Sequence, residues 1–386
     1  MIKFYLSALL FLFVSLDFMG QNDSIPQKEK KNKLIIGGDT NLLFTGTRIV
    51  EKEDSSGRRS FIIGGYVSAY YAYYTDEKTN NGFVQFPTMA PRNNELGLNL
   101  IQLSMQYRSK TVRSNITLHY GDIPESTWPR TFNLIQEAHA GIKLVKGLWL
   151  DAGFFKSHIG LESTQPRENI TSSMSVLDFY EPYYLSGAKL TYEVNKKLNI
   201  QINVFDGFNE YIEDNKNKAV GFSLLYDINN KTSLTYNFLT CDETPDNIKT
   251  KYQRYYNDLY LTFKSDKFDL GIEANYGWQE HSSLKDTNQT ASLFSGLIVA
   301  KYAFIKKLAA YGRAEYFSDP DGILSRNEGM GDYIMGSTFG FEYKPVKNAA
   351  LSIEGRCLQS DNLIFREGNY KVDQRYEFII CMDVWF

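Results

Sequence analysis

The stretch Phe268-Asp269-Leu270-Gly271-Ile272-Glu273-Ala274-Asn275-Tyr276-Gly277-Trp278 decides the fold. Phe268, Leu270, Ile272, Ala274, Tyr276 and Trp278 share one parity, while Asp269, Gly271, Glu273 and Asn275 share the other. A period of two is that of an extended strand with one apolar and one polar face. The run is about twice as long as a common soluble strand, roughly 5–6 residues. It matches the ~9–11 residues a tilted strand needs to cross a bilayer.

The same alternation returns in Ile116-Thr117-Leu118-His119-Tyr120, Leu198-Asn199-Ile200-Gln201-Ile202-Asn203-Val204 and Leu234-Thr235-Tyr236-Asn237-Phe238. Aromatic residues cluster toward the strand ends, as they do at membrane interfaces. In lipid every backbone amide must be paired, and a closed barrel is the sheet that leaves no edge. The pattern therefore predicts an all-β, transmembrane, antiparallel up-and-down β-barrel.

The connectors give the strand count. Short polar turns are expected at Arg108-Ser109-Lys110, Val145-Lys146-Gly147, Asn195-Lys196-Lys197, Asn229-Asn230-Lys231, Ser265-Asp266-Lys267, Ile305-Lys306-Lys307 and Pro345-Val346-Lys347-Asn348. Longer polar loops are centred near residues 83, 126, 170, 213, 246, 284, 324 and 365. Seven turns alternating with eight loops make about sixteen strands, with both ends on the short-turn, periplasmic side. The expected strands are 61–75, 93–108, 111–121, 132–145, 147–157, 183–195, 197–208, 217–229, 231–241, 252–265, 267–280, 290–305, 307–318, 331–344, 348–360 and 370–386. In the second, the apolar parity passes from Leu96, Leu98 and Leu100 to Ile101, Leu103 and Met105, which calls for a β-bulge near Leu100.

Both termini agree with an outer-membrane destination. Lys3 followed by the apolar run Phe4–Val14 reads as a secretory signal, residues 1–20, with cleavage near Gly20. Residues 21–60 carry the basic run Lys28–Lys33 and the charged run Glu51–Arg59, and read as a periplasmic tail ahead of a barrel at 61–386, with a partial plug or one extra strand pair as the alternative. The final strand alternates Tyr376, Phe378, Ile380, Met382 and Val384 to a terminal Phe386, resembling the signal read by the outer-membrane assembly machinery. Aromatics make up 15% of the chain, with 27 Tyr and 26 Phe. The mean hydropathy of −0.36 is then that of a barrel with a polar interior. A net charge of −3 argues against a nucleic-acid partner. The spacing of Cys241, Cys357 and Cys381 supports neither a disulfide framework nor a metal site, and no cofactor is implied.

If the apolar parity faces lipid, the other parity lines the pore. It contains Glu137, His139, Lys143, Asp151, Lys189, Asp258, Glu273, Arg313, Glu315, Glu342, Glu354, Arg356 and Glu377. Sixteen strands are wide enough for an aqueous channel. The excess of carboxylates on that face implies a mild cation preference. The longest loop, Ser157–Pro182, follows the fifth strand. Beside Lys156 it holds His158, Glu162, Arg167, Glu168 and Asp178, with the apolar segment Met174–Tyr180. Apolar side chains in a loop this long are poorly placed in water, so the loop is expected to fold inward and constrict the pore. A lid or a contact between protomers is the alternative.

Around this loop the chain resembles the OmpL-like porin-2 family of outer-membrane β-barrels. The resemblance runs through Gly153-Phe154-Phe155-Lys156, Gly160-Leu161-Glu162, Asn169-Ile170 and Ser172-Ser173, then Phe205-Asp206-Gly207-Phe208-Asn209 and Asp214-Asn215-Lys216-Asn217. It includes the opening strand, with Gly65-Tyr66-Val67 and Tyr70-Tyr71-Ala72-Tyr73. It departs at Phe208, where the family more often has Trp, and it spans about residues 60 to 386. The resemblance implies a porin and transfers no substrate.

The expected function is passive diffusion of small hydrophilic solutes or ions through the outer membrane. A plugged barrel that takes up a substrate or adheres through its loops is the alternative. An outer-membrane enzyme is the third class: His139 has Glu137 on the same face and His158 adjoins Ser157, but neither belongs to a nucleophile motif. Channels of this size are often homotrimers, and no trimer contact is legible here.

Overall fold

The computed structural model describes residues 47–54, 57–76, 82–86, 88–213, 215–326 and 332–386. The expected signal peptide and residues 21–46 of the expected tail lie outside them. The strands are β1 (Thr47–Asp54), β2 (Gly57–Tyr74), β3 (Glu95–Arg108), β4 (Val112–Tyr120), β5 (Ile135–Val145), β6 (Leu148–Lys156), β7 (Tyr184–Glu193), β8 (Leu198–Phe205), β9 (Ala219–Asp227) and β10 (Thr232–Cys241). They continue with β11 (Arg254–Lys264), β12 (Phe268–Gln279), β13 (Ala291–Ile305), β14 (Leu308–Ser318), β15 (Ile334–Tyr343), β16 (Ala349–Ser360), the small hairpin β17 (Phe365–Glu367) and β18 (Tyr370–Val372), and β19 (Gln374–Trp385). Two short helices, α1 (Asp122–Thr127) and α2 (Val176–Tyr180), sit in loops.

Strands β2 to β16 pair antiparallel in chain order, and β16 pairs with β19. β19 then returns to β2, Glu377 opposite Tyr74 through Trp385 opposite Tyr66, and closes a barrel of sixteen strands. The seven turns and eight loops fall where the sequence places them. The expected bulge is present: Ser68 pairs with Leu100 and Ala69 with Leu98, which leaves Asn99 as the extra residue. Both Asn99 and Leu100 are thereby turned inward and buried.

Burial follows the parity. On β12, Ile272 and Tyr276 are exposed to the lipid side, whereas Gly271, Glu273, Asn275 and Gly277 are buried. On β19, Tyr376, Phe378, Met382 and Val384 are exposed, whereas Arg375, Glu377 and Asp383 are buried. Polar inside and apolar outside inverts a soluble core, as a wall between lipid and lumen requires.

The start of the sheet differs from expectation. Residues 47–60 were assigned to the tail, yet β2 begins at Gly57 and β1 pairs with it, Thr47 opposite Ile63 through Asp54 opposite Gly57. The reason lies at the other end of the chain. β19 stops at the periplasmic rim, where Phe386 and Gly65 exchange backbone hydrogen bonds of 3.0 and 3.2 Å. Below Gly65 the same edge of β2 would be unpaired, and β1 takes the place that β19 vacates.

Candidate functional site, the third loop in the lumen

The third loop, residues 157–183, leaves the rim and enters the barrel. Its departure is prepared by glycines on neighbouring strands. Gly153 (φ +135) pairs with Gly187, and a Cβ at Gly153 would lie 2.3 Å from the Ala138 carbonyl oxygen. Aromatic side chains close around them: the rings of His139 and Phe155 lie 4.7 Å apart, and the Lys189 ammonium sits 4.1 Å from the Phe155 centroid. At Gly160 (φ +96) a side chain would strike the Glu181 carboxylate, 2.4 Å away.

Backbone amides of the descending and returning limbs are held by carboxylates of the wall. Gly160 donates to Asp258 at 2.9 Å and Leu161 to Glu273 at 3.0 Å. Ser172 and Ser173 donate to Glu354 at 3.0 and 3.2 Å, and Val176 donates to Glu315 at 2.7 Å. Arg313 is the central clamp. It donates to Glu162 (2.8 Å), the Thr171 hydroxyl (2.9 Å), the carbonyls of Ser173 (2.6 Å) and Met174 (2.9 Å) and the Ser173 hydroxyl (3.1 Å). Glu162 also accepts from the Ser175 amide, tying one limb to the other. Charge-assisted bonds are strong in a site shielded from water, and Arg313 has no exposed side-chain surface.

The apolar segment packs on the same wall. Val176 and Leu177 of α2 are fully buried against Tyr260, Leu297, Val299, Phe317, Ile334 and Leu358, with Phe86 of the first loop and Phe365 of β17 over them. Ser175 caps α2 by accepting from the Asp178 amide. The loop also buries two acids. Burial, with Glu162 nearby, raises the Asp178 carboxyl well above its ordinary range. Burial together with Asp258 and Asp178 raises Glu181 likewise, although Tyr256 and Asn275 donate to it at 2.9 and 2.8 Å. Burial lowers the His158 imidazole to about 4. Its Nε2 lies 3.2 Å from the Phe238 carbonyl, which can only accept, so that nitrogen carries the proton.

The structure gathers some of the sequence-selected residues around the loop and leaves others apart. Glu273, Arg313, Glu315, Glu354 and Arg356 meet it or its supports, with Arg356 bridging Glu315 (2.7 Å) and Thr88 of the first loop (2.6 Å). Glu137 and His139 face each other on β5 at 3.6 Å. Asp151 pairs with Arg113, and both Arg113 and Lys143 lie over the Trp149 ring. Glu342 lies 2.9 Å from Lys344 and 3.3 Å from Lys301. On the loop, Lys156 approaches Glu168 at 3.6 Å, and Arg167 reaches the rings of Trp385 and Tyr66. The parity list passed over Arg375, which is fully buried and binds Glu377 (2.6 Å) and Asp76 (3.3 Å), although it shares the inward parity of Glu377. It also passed over Glu181, which no periodicity marks because it lies in a loop.

These pairings give the acidic positions a structural role. Asp258, Glu273, Glu315 and Glu354 accept loop amides. Asp151, Glu342 and Glu377 are matched by Arg113, Lys344 and Arg375. Part of the acidic excess on the inner face is thus acceptor capacity for the third loop.

A closed barrel of lipid-crossing strands, polar within and penetrated by its third loop, is an outer-membrane channel. The chain belongs to the family described as putative beta-barrel porin-2, OmpL-like, whose model matches residues 60–386. Solved porin structures share the fold. The outer-membrane channel DcaP of Acinetobacter baumannii aligns with a TM-score of 0.60 and 13% identity over 88% of this chain and 100% of its own. The anion-selective porin from Comamonas acidovorans aligns with 0.57 and 10% over 85% and 100%. OmpF of Salmonella typhi, in complex with daunomycin, aligns with 0.56 and 13% over 87% and 100%. No curated protein matches the sequence.

Proposed function

We propose that the third loop is the constriction of this channel and that small hydrophilic solutes diffuse past it, with a mild preference for cations from the acidic positions of the wall. The carrying observation is the Arg313 clamp. One buried guanidinium holds both limbs of the loop to the wall, while acceptor carboxylates there are occupied by loop amides or by cations. Wall carboxylates that accept from neutral amides are not matched by a cation, so the acidic excess of the inner face supports a mild cation preference. The reading assigns no catalysis: the Ser157 hydroxyl accepts from the Ile159 amide and His158 bonds to Phe238. It includes export by a cleaved signal at residues 1–20, supported by Lys3 and the apolar run behind it, and assembly directed by the strand ending in Phe386. A homotrimer belongs to it on barrel size alone.

The test is conductance in planar bilayers, followed by the reversal potential in a salt gradient. Discrete steps with a mildly cation-selective reversal potential are expected. An anion-selective reversal would overturn the acidic-lumen reading. One specific observation favours a closed resting state, namely the full burial of Arg313, Arg356 and Arg375 within the lumen. Silence from folded protein, relieved by deleting residues 163–178, would establish that second reading.

A further inference from the structure

The seven periplasmic turns carry a charge pattern that the channel does not use. Residues 109–111, 146–147, 194–197, 228–231, 265–267, 306–307 and 344–348 hold ten lysines and a single carboxylate, Asp266. Every turn contributes at least one. On the rim lysines outnumber carboxylates ten to one. At the other end of the barrel the pattern reverses: among the described residues of each long loop other than the third, carboxylates equal or outnumber basic groups.

The lysines lie at a defined height. In sequence, Lys146 follows Val145, Lys306 follows Ile305 and Lys347 follows Val346, residues 61–62% exposed on the lipid side. Lys267 precedes the exposed Phe268 and Lys344 follows the exposed Tyr343. The turns thus lie where the apolar belt stops, at the level of the phosphates of the adjoining leaflet, although Lys344 reaches back to Glu342 (2.9 Å) and Lys197 to the Ile228 carbonyl (3.3 Å). The turns are two to five residues long, so a lysine stem reaches no farther than that layer.

We infer that the periplasmic rim is a binding surface for anionic phospholipid headgroups of the inner leaflet, the phosphatidylglycerol class, and that it fixes the barrel's depth and orientation. A basic residue at a membrane surface attracts anionic lipid by about 1 kcal/mol, close to five-fold in affinity per lysine, within a Debye length. The inference goes beyond the channel reading and holds whether or not the third loop is the constriction.

The test uses the full-length protein, folded in a neutral detergent and titrated with phosphatidylglycerol or phosphatidylcholine, with bound lipids counted by native mass spectrometry. Several phosphatidylglycerol molecules should be retained in preference to phosphatidylcholine. Lys146→Gln, Lys267→Gln, Lys306→Gln and Lys347→Gln together should reduce that retention at least ten-fold, whereas the four Arg substitutions should preserve it. Heat-modifiable gel mobility verifies that each variant is folded. Equal retention of the two lipids, or a preference that survives the Gln substitutions in folded protein, would overturn the proposal. Channel conductance, measured separately, keeps this result independent of the proposed function.

Discussion

Arg313 shows how much can rest on one buried side chain. Its donors reach five loop groups, and its charge faces Glu162 and Glu315 at 2.8 and 3.4 Å. Removing one partner of a buried ionic cluster leaves uncompensated charge, typically about 3–5 kcal/mol. Arg313→Met should therefore release the third loop while sparing the strands. Limited proteolysis should cut within residues 157–183 and unit conductance should rise; an unchanged digest would contradict the clamp. Asp178 and Glu181 act in the opposite sense. Both carboxyls are raised above an unfolded value near 4, so their contribution to loop docking is full below about pH 4 and is lost as pH rises toward the folded values. Glu162 on the loop, Asp258 on β11 and Glu273 on β12 add negative charge around them, opposed by Arg313 on β14. Open time should increase from acidic to alkaline pH in bilayer recordings. Asp178→Asn with Glu181→Gln should flatten that dependence.

Elements rather than single groups explain the seam. β2 and β19 are far apart in sequence and meet where Phe386 lies over Gly65; a Cβ at Gly65 would fall 2.3 Å from that ring. Gly65→Ala should destabilise the closed barrel by about 1–3 kcal/mol through overpacking, read as a lower unfolding midpoint of the heat-modifiable band. Phe386→Ala in the same background should recover part of it, since the clash is pairwise. Additive losses would show that the ring is not the obstacle. The bulge at Asn99 serves a second element: its carboxamide accepts from the Ala90 amide at 2.6 Å and donates to Ser68 at 3.2 Å, fastening the first loop inside the rim. The family motif around residue 207 has a similar use. Phe208 donates its amide to Glu243, while Asn209 (φ +64) accepts from Tyr183 and Tyr184 where the third loop rejoins β7.

For the molecule as a whole, strand pairing and loop docking are separable. The wall is closed by backbone hydrogen bonds between neighbouring strands, and none of those pairings passes through the third loop. Deleting residues 163–178 should leave a folded, heat-modifiable barrel with larger conductance. Loss of the folded band would mean that the apolar cluster of Val176, Leu177 and Phe317 is needed to form the wall at all.

Sequence alone determined the wall. A side-chain period of two, imposed by solvents of opposite polarity on the two faces, wrote the sixteen barrel strands and their facing into local residue order, but neither β1 nor the start of β2 at Gly57. Turn chemistry then fixed the count, and the phase slip around Leu100 disclosed the bulge. What the inward carboxylates do was decided only in three dimensions. Glu273, Glu315 and Glu354 look in sequence like groups facing water, and Glu181 and Arg375 do not stand out. The partners of the three glutamates include loop amides distant in the chain, 182 residues away for Glu354 and Ser172. Periodicity reports which solvent a residue faces; it does not report which distant group replaces that solvent once a loop folds in.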